Sequence, residues 1–373
     1  MATRCRAVRW CAAVLALGAG AGACASNGAE AGDPTSLPPV TSAPPRSTAA
    51  APSPSSPSQP AATASPATSG PTVPAGSAPG TLAASTVPTT VPPTLPPITT
   101  LPPDCVGLAP VTSGSRVHVT ASGEQRTYEL AVPRSYDGTR AAGLIVNFHE
   151  HTSSGAQHDR YTQMGELATT RGYIVVSPDA IGDPTSWNAR FDSNRLDDFG
   201  FAHGLVAELL ATMCIDPARV YAAGHANGGL FAGHLVCSPP FEFAAVAVVA
   251  AVPLSSCPAE VRPSVALILG TADELTPYFG SLTRPSAVES VLSWARHAGC
   301  AEPATVVPVV NGVEAMRFDG CAGVEVRLLS VVDGAHPWPG GLVARTRAGN
   351  SDSGRTFPAT ETILDFFDRH VRV

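Results

Sequence analysis

From residue 116 onward, apolar and polar positions follow two alternating rhythms. Segments 116–120 and 127–132 change side at every second residue and predict an antiparallel opening pair, whereas 143–148 is a continuous apolar run of the kind buried on both faces of a sheet. Segment 157–170 repeats with helical spacing and 173–177 is a second buried strand. A helix is expected over 196–213, with Asp197 and Asp198 in a first turn where negative charge suits the dipole. Strands at 219–223, 244–250, 265–269 and 324–331 then alternate with helices at 228–236, 287–297 and 360–370. Strand and helix in turn specify an α/β chain with a doubly wound, mostly parallel sheet. Ligands of such sheets sit beyond the carboxyl ends of the strands. The loops after Phe148, Ala223, Leu269 and Val332 are therefore the ones expected to carry chemistry.

The rhythm is absent upstream. Of the 37 prolines in the 373-residue chain, 20 fall in residues 31–103, and Arg46 is the only charged residue between Pro34 and Pro103. No face exists there to bury, so 24–103 reads as a disordered Pro/Ser/Thr/Ala-rich linker, up to ~240 Å long if fully extended. Before it, residues 1–23 carry Arg4, Arg6 and Arg9 and then an apolar run too short to span a bilayer, the pattern of a bacterial export signal. The run ends Gly20-Ala21-Gly22-Ala23-Cys24, which resembles a lipobox with Cys24 as the residue to be diacylated. Simple secretion after Ala23 or Ala25 is the alternative. The chain is thus expected to be exported, held at the membrane by a lipid anchor or released, with a single folded domain over 104–373.

Charge and cysteines narrow the partners and the compartment. Net charge is −7, with no lysine and all 23 basic residues arginine, so no basic patch suited to nucleic acid is expected. Setting aside Cys5, Cys11 and Cys24 leaves Cys105, Cys214, Cys237, Cys257, Cys300 and Cys321. Six cysteines in an exported domain, without a CxxC pair, suggest three disulfides; fifteen connectivities remain open.

The loops after the strands hold a catalytic order with one member missing. After strand 219–223 comes Gly224-His225-Ala226-Asn227-Gly228-Gly229 and then a helix, the setting of a nucleophile elbow, but G-x-S-x-G is replaced by G-x-A-x-G. Asp273 follows strand 265–269, where an acid would orient an imidazole, and His336 follows strand 324–331. Asn227 is expected at the helix N-terminus with its backbone N–H toward the pocket. Asp333 is a possible substitute acid and more readily a turn residue with Gly334.

Together these residues resemble the exported esterases of the polyhydroxybutyrate depolymerase and feruloyl esterase type, which have the α/β-hydrolase fold. The resemblance runs through Ser186-Trp187-Asn188, Cys214-Ile215-Asp216-Pro217-Ala218-Arg219-Val220-Tyr221, Asn227-Gly228-Gly229, Gly270-Thr271-Ala272-Asp273 with Pro277-Tyr278, Gly299-Cys300, and His336-x-Trp338-Pro339-Gly340-Gly341. It implies that Asp273 and His336 belong to a triad and that Cys300 pairs with Cys321. It is also compatible with Cys237–Cys257 and Cys105–Cys214. The chain departs from the family pattern twice. Ala226 stands at the nucleophile position, and the usual His-Gly after the third strand is His149-Glu150-His151. A carboxylate at 150 is expected to disturb a glycine conformation and, facing the pocket, to repel a developing oxyanion.

Two functional expectations follow. The first is an impaired carboxylic-ester hydrolase, a pseudoenzyme that keeps a pocket for an ester, polyester or cell-wall-type ligand and needs no cofactor. The second is an active hydrolase using water activated by His336, with or without a metal gathered by Glu150 and His151 beside Asp273 and His336. Trp187 and Trp338 either line an aromatic groove or pack the core. His149 and His225 are read as structural, Ser153 and Ser154 as turn residues, and His118, His158, His203, His234, His297 and His370 as surface or helix-face residues.

Overall fold

The computed structural model describes residue 105 and residues 111–372, apart from 191, 241 and 311. The expected export signal 1–23, Cys24 and the linker 24–103 lie outside the described residues.

Ten strands form one sheet: β1 (Gly114–Val119), β2 (Gln125–Ala131), β3 (Ala142–Phe148), β4 (Tyr173–Pro178), β5 (Ile215–His225), β6 (Ala245–Val249), β7 (Ser264–Gly270), β8 (Ala301–Val310), β9 (Val313–Asp319) and β10 (Val326–Val331). Their order across the sheet is β1-β2-β4-β3-β5-β6-β7-β10-β9-β8. The run from β4 to β10 is parallel, and both edges are antiparallel. Strands β3, β4, β6, β7 and β10 are buried at every position and mainly apolar, as strands covered on both faces require, with Asn147, Ser177, Ser264, Arg327 and Ser330 as buried polar exceptions.

The covering helices are α1 (Gly155–Thr162), α2 (Met164–Thr170), α3 (Asp198–Thr212), α4 (Asn227–Leu235), α5 (Ala287–His297), α6 (Leu342–Thr346), α7 (Asp352–Thr356) and α8 (Ala359–Asp368). One core joins α3, α4 and α5 to one face of the sheet, and a second joins α2 and α8 to the other. The strand order reverses between β3 and β5, where β4 lies on one side and β6 on the other. That is the switch point at which a crevice opens beyond the strand ends. The arrangement is the α/β-hydrolase fold.

Three expectations change in detail. The helix expected over 157–170 is two helices, because Gln163 takes a left-handed conformation at φ 60° and the Asp159 carboxylate accepts from Gly165 N–H at 2.7 Å, starting the second. Asp197 is the N-cap of α3 rather than a first-turn residue, accepting from Gly200 N–H at 2.8 Å. Strands β8 and β9 have no counterpart in the sequence expectation; β8 is exposed along almost its whole length and carries Pro303 and Pro308, so it shows no burial alternation.

The six cysteines pair as Cys105–Cys214, Cys237–Cys257 and Cys300–Cys321. The last joins the start of β8 to the residues just after β9, clasping the edge hairpin. Cys105–Cys214 closes a sequence separation of 109 residues and ties the first described residue to the entry of β5.

Candidate functional site

Strand β5 runs into α4 through a single residue, Ala226, at φ 49° and ψ −113°. This is a strained conformation for any residue with a Cβ, of the kind that costs about 1–3 kcal/mol and persists when its surroundings force it. The flanking glycines show what forces it. A Cβ on Gly224 would lie 2.4 Å from the Gly228 carbonyl oxygen, and one on Gly228 would lie 2.3 Å from the carbonyl oxygens of Phe148 and His149. Strand, turn and helix therefore cross at backbone distance, and the sharp turn lifts the Ala226 side chain into the crevice at the N-terminus of α4. Where a hydroxyl would stand on this turn there is a methyl group.

Asp273 follows β7 and His336 follows β10, two adjacent parallel strands that bring both loops to the same end of the sheet. His336 Nδ1 lies 2.8 Å from Asp273 Oδ2 and 3.0 Å from Oδ1. Asp273 is buried, and its Oδ1 also accepts from the N–H groups of Leu275 and Thr276 at 2.9 and 2.8 Å. A carboxylate fixed in this way accepts a hydrogen bond from Nδ1–H of the imidazole, leaving Nε2 as the nitrogen with the lone pair. His336 and Ala226 line the same pocket. Asp333, the alternative acid in the sequence, is an exposed residue whose N–H donates to Thr271 Oγ1; the imidazole is held by Asp273.

The loop after β3 is organised differently from the sequence expectation. His149 is buried: its Nδ1–H donates to the Glu150 carbonyl at 2.6 Å and its Nε2 accepts from Ala180 N–H at 2.9 Å. Burial lowers its pKa and favours the neutral ring these two bonds require. Glu150 does not face the pocket. Its carboxylate turns to His158 Nδ1 at 2.8 Å and lies 3.7 Å from His225 Nδ1. Its backbone is not in the left-handed region either; that conformation falls on Thr152, at φ 63°. Both expected harms of Glu150, a disturbed glycine conformation and repulsion of the pocket, are therefore corrected. The expected grouping of Glu150 and His151 with Asp273 and His336 is not assembled, since Glu150 and exposed His151 are turned to different surroundings and Asp273 holds His336. Ser154 caps α1 through Gln157 N–H, and Ser153 accepts at its carbonyl from Thr185 Oγ1.

Trp187 and Trp338 are both fully buried, which removes them from any substrate groove. Trp187 instead knits the site together. Its indole N–H donates to the His149 carbonyl at 3.0 Å, while its backbone N–H and carbonyl are clasped by the Asn227 side-chain amide at 2.7 and 3.2 Å. The ring packs against Phe148 and Phe231 in the core. Asn227 is the first residue of α4, so its backbone N–H has no partner within the helix. Trp338 packs its ring edge-on to His158 and His225, and its indole donates to Thr360 Oγ1 at 3.0 Å.

The pocket beyond these strands has a volume of about 550 Å3. Much of its wall is apolar, including Leu230, Val252 and Leu254; among the described residues no carboxylate lines it, whereas Arg190 and Arg284 do. His234, read from sequence as a surface or helix-face residue, also lines it, and its Nδ1–H donates to the Ala189 carbonyl.

The largest departure from the sequence reading is His158, read as a surface or helix-face residue yet fully buried. A faint signal was present in β3, where Asn147 interrupts an otherwise apolar strand: its Oδ1 is 3.2 Å from His158 Nε2. His118 and His203 are buried as well, His118 against Glu208 and His203 beside Ser238.

No protein-family profile matches the chain. It is 29% identical over 290 residues to NocK of Nocardia uniformis subsp. tsuyamanensis, provisionally named an esterase, covering 69% of this chain and 83% of that protein. Over 224 residues it is 29% identical to feruloyl esterase B of Piromyces equi, covering 55% of this chain and 41% of the relative. Feruloyl esterase C of Emericella nidulans is 24% identical over 206 residues, 53% of this chain and 72% of the relative. Among solved structures, the acetyl xylan esterase of Aspergillus awamori superposes with a TM-score of 0.49 at 15% identity, covering 61% of this chain and 96% of that one. The chain is thus similar in sequence to proteins named as carboxylic-ester hydrolases.

Proposed function

We propose that the chain is an exported protein of the carboxylic-ester hydrolase type, close in kind to polyhydroxybutyrate depolymerases and feruloyl esterases, that binds ester ligands without hydrolysing them at esterase rates. The observation that carries this reading is Ala226: the elbow keeps its strained backbone, but its side chain has no oxygen. Asp273 orients His336, and His336 presents Nε2 to the pocket as a base with no hydroxyl to deprotonate. In the measured serine-hydrolase case, loss of the nucleophile costs on the order of 10⁶ in kcat.

The rest of the machinery supports retained binding. Asn227 at the start of α4 and His151 in the loop after β3 both line the pocket, and Trp187, bonded to the Asn227 side chain and to the His149 carbonyl, ties the two segments together, an arrangement suited to holding a carbonyl oxygen. The apolar wall suits an acyl or aryl group. Arg190 and Arg284, in a pocket with no carboxylate among its described lining residues, favour an ester that also bears negative charge. Water activated by His336 accounts only for a residual rate in this reading, one that His336→Ala abolishes.

The test compares wild type with Ala226→Ser on p-nitrophenyl butyrate and on an anionic hemisuccinate ester, alongside labelling by a fluorophosphonate probe. Wild type is expected to be unlabelled and nearly inactive, and Ala226→Ser labelled and active, with the anionic ester bound more tightly. Ordinary esterase turnover and labelling by wild type would overturn the proposal; equal affinity for the two esters would remove the preference for negative charge.

A further inference from the structure

Beside the elbow, and outside the pocket lining, three ligand-type side chains meet whose arrangement the ester chemistry does not use. They are Glu150 from the loop after β3, His158 from α1 and His225 from the end of β5. Their ligand atoms all lie within 4.8 Å of one another. His158 is fully buried and His225 is 3% exposed.

The second nitrogen of each ring fixes what the first can do. His158 Nε2 faces the side-chain oxygen of Asn147 at 3.2 Å, and His225 Nε2 faces the carbonyl oxygen of His336 at 3.0 Å. Both partners are acceptors, so both Nε2 atoms carry hydrogen. In the neutral rings both Nδ1 atoms are then lone pairs, and both are turned toward the Glu150 carboxylate, itself only an acceptor when ionised. A single proton on His158 satisfies the 2.8 Å contact to Glu150. It leaves His225 Nδ1, buried and without a hydrogen-bond partner, 3.7 Å from the same carboxylate, which is too long for a hydrogen bond.

We infer that Glu150, His158 and His225 form a binding site for a divalent transition cation such as zinc. One cation satisfies all three acceptors at once, which a single proton cannot. Two imidazole nitrogens and one carboxylate are a zinc donor set with a fourth position left for water. The hydrogen bonds from the outer ring nitrogens to Asn147 and to the His336 carbonyl are the supporting contacts that orient metal-bound histidines. The site joins three elements around the elbow and, through His225, holds the backbone of His336. Its role is to fix the loop geometry, and it stands independently of whether the pocket binds esters.

The experiment uses the full chain with cysteines outside the three disulfides alkylated, stripped with a chelator and titrated with ZnCl2 by calorimetry and with CoCl2 by visible absorption. Wild type is expected to bind one equivalent of Zn2+, to give the intense d–d bands of four-coordinate cobalt, and to melt at higher temperature with zinc than without. In Glu150→Gln and in Glu150→Gly, zinc affinity is expected to fall by about 100-fold or more and the zinc-dependent rise in melting temperature to disappear. Uptake well below one equivalent by wild type, or zinc binding of equal affinity in wild type and a folded variant, would overturn the inference. Should both variants fail to fold, the wild-type cobalt spectrum decides: weak six-coordinate bands contradict the site.

Discussion

At position 226 a methyl group sits on a turn whose strain serves, in an active elbow, to present an oxygen. The two glycines that permit the crossing cannot accept a Cβ, so the backbone still pays for the turn although the side chain has nothing to deliver. This part of the site was legible from sequence, because Gly224-x-Ala226-x-Gly228 between an apolar strand and a helix specifies the geometry without reference to the residue in the middle. The direction of Glu150 was not legible. Neighbouring residues on a loop point to different surroundings, and what draws Glu150 inward is His158, eight positions away and buried beneath it. Trp187 was equally ambiguous: an aromatic residue beside the site reads alike as lining or as core. Its burial and its three hydrogen bonds to His149 and Asn227 assign it to the core, as the residue that positions the two loops. Trp187→Ala is expected to destabilise the protein by about 3–5 kcal/mol, measured by urea denaturation. A change below about 1 kcal/mol would show that the ring is not a keystone of this region.

At the scale of elements, strands buried on both faces announced themselves as apolar runs, and the edge hairpin did not. Strand β8 is exposed and proline-bearing, so only its pairing with β9 defines it. The start of β10 is joined to the end of α8 by Glu325, which lies 3.3 Å from His370 Nε2 and 3.6 Å from both Arg327 and Arg369. Desolvation pushes its carboxyl up, but the His370 hydrogen bond and the two guanidinium groups prevail and bring its pKa from 4.5 down to about 2. A depressed carboxyl pKa contributes stability that is fully present above 4.5 and is lost as pH falls toward 2. Urea midpoints of wild type and Glu325→Gln should therefore differ at pH 6 and converge as pH is lowered through that window. A difference that stays constant across it would refute the role of the ionised carboxylate.

Over the whole molecule, an acidic chain carries a pocket lined by arginines and, among the described residues, by no carboxylate, and of its three disulfides Cys105–Cys214 spans 109 residues while the other two close loops of 20 and 21. Disulfides of this number fit an oxidising compartment and support the proposed export; lipid attachment at Cys24 is a separate expectation with its own test. In a bacterial host, metabolic labelling with radioactive palmitate is expected to mark the wild-type chain and not Cys24→Ala; equal labelling of both would place the anchor elsewhere, and no labelling of either would favour release. The central claim concerns the domain itself: a complete hydrolase scaffold whose deficit is one oxygen atom. The most direct measurement is the steady-state rate of p-nitrophenyl butyrate hydrolysis by wild type and by Ala226→Ser, matched for folding by circular dichroism. A gain on the order of 10³-fold or more, lost again when His336 is also replaced by alanine, is the expected result; a rate unchanged by the serine, or a wild type already as fast as the variant, would contradict it.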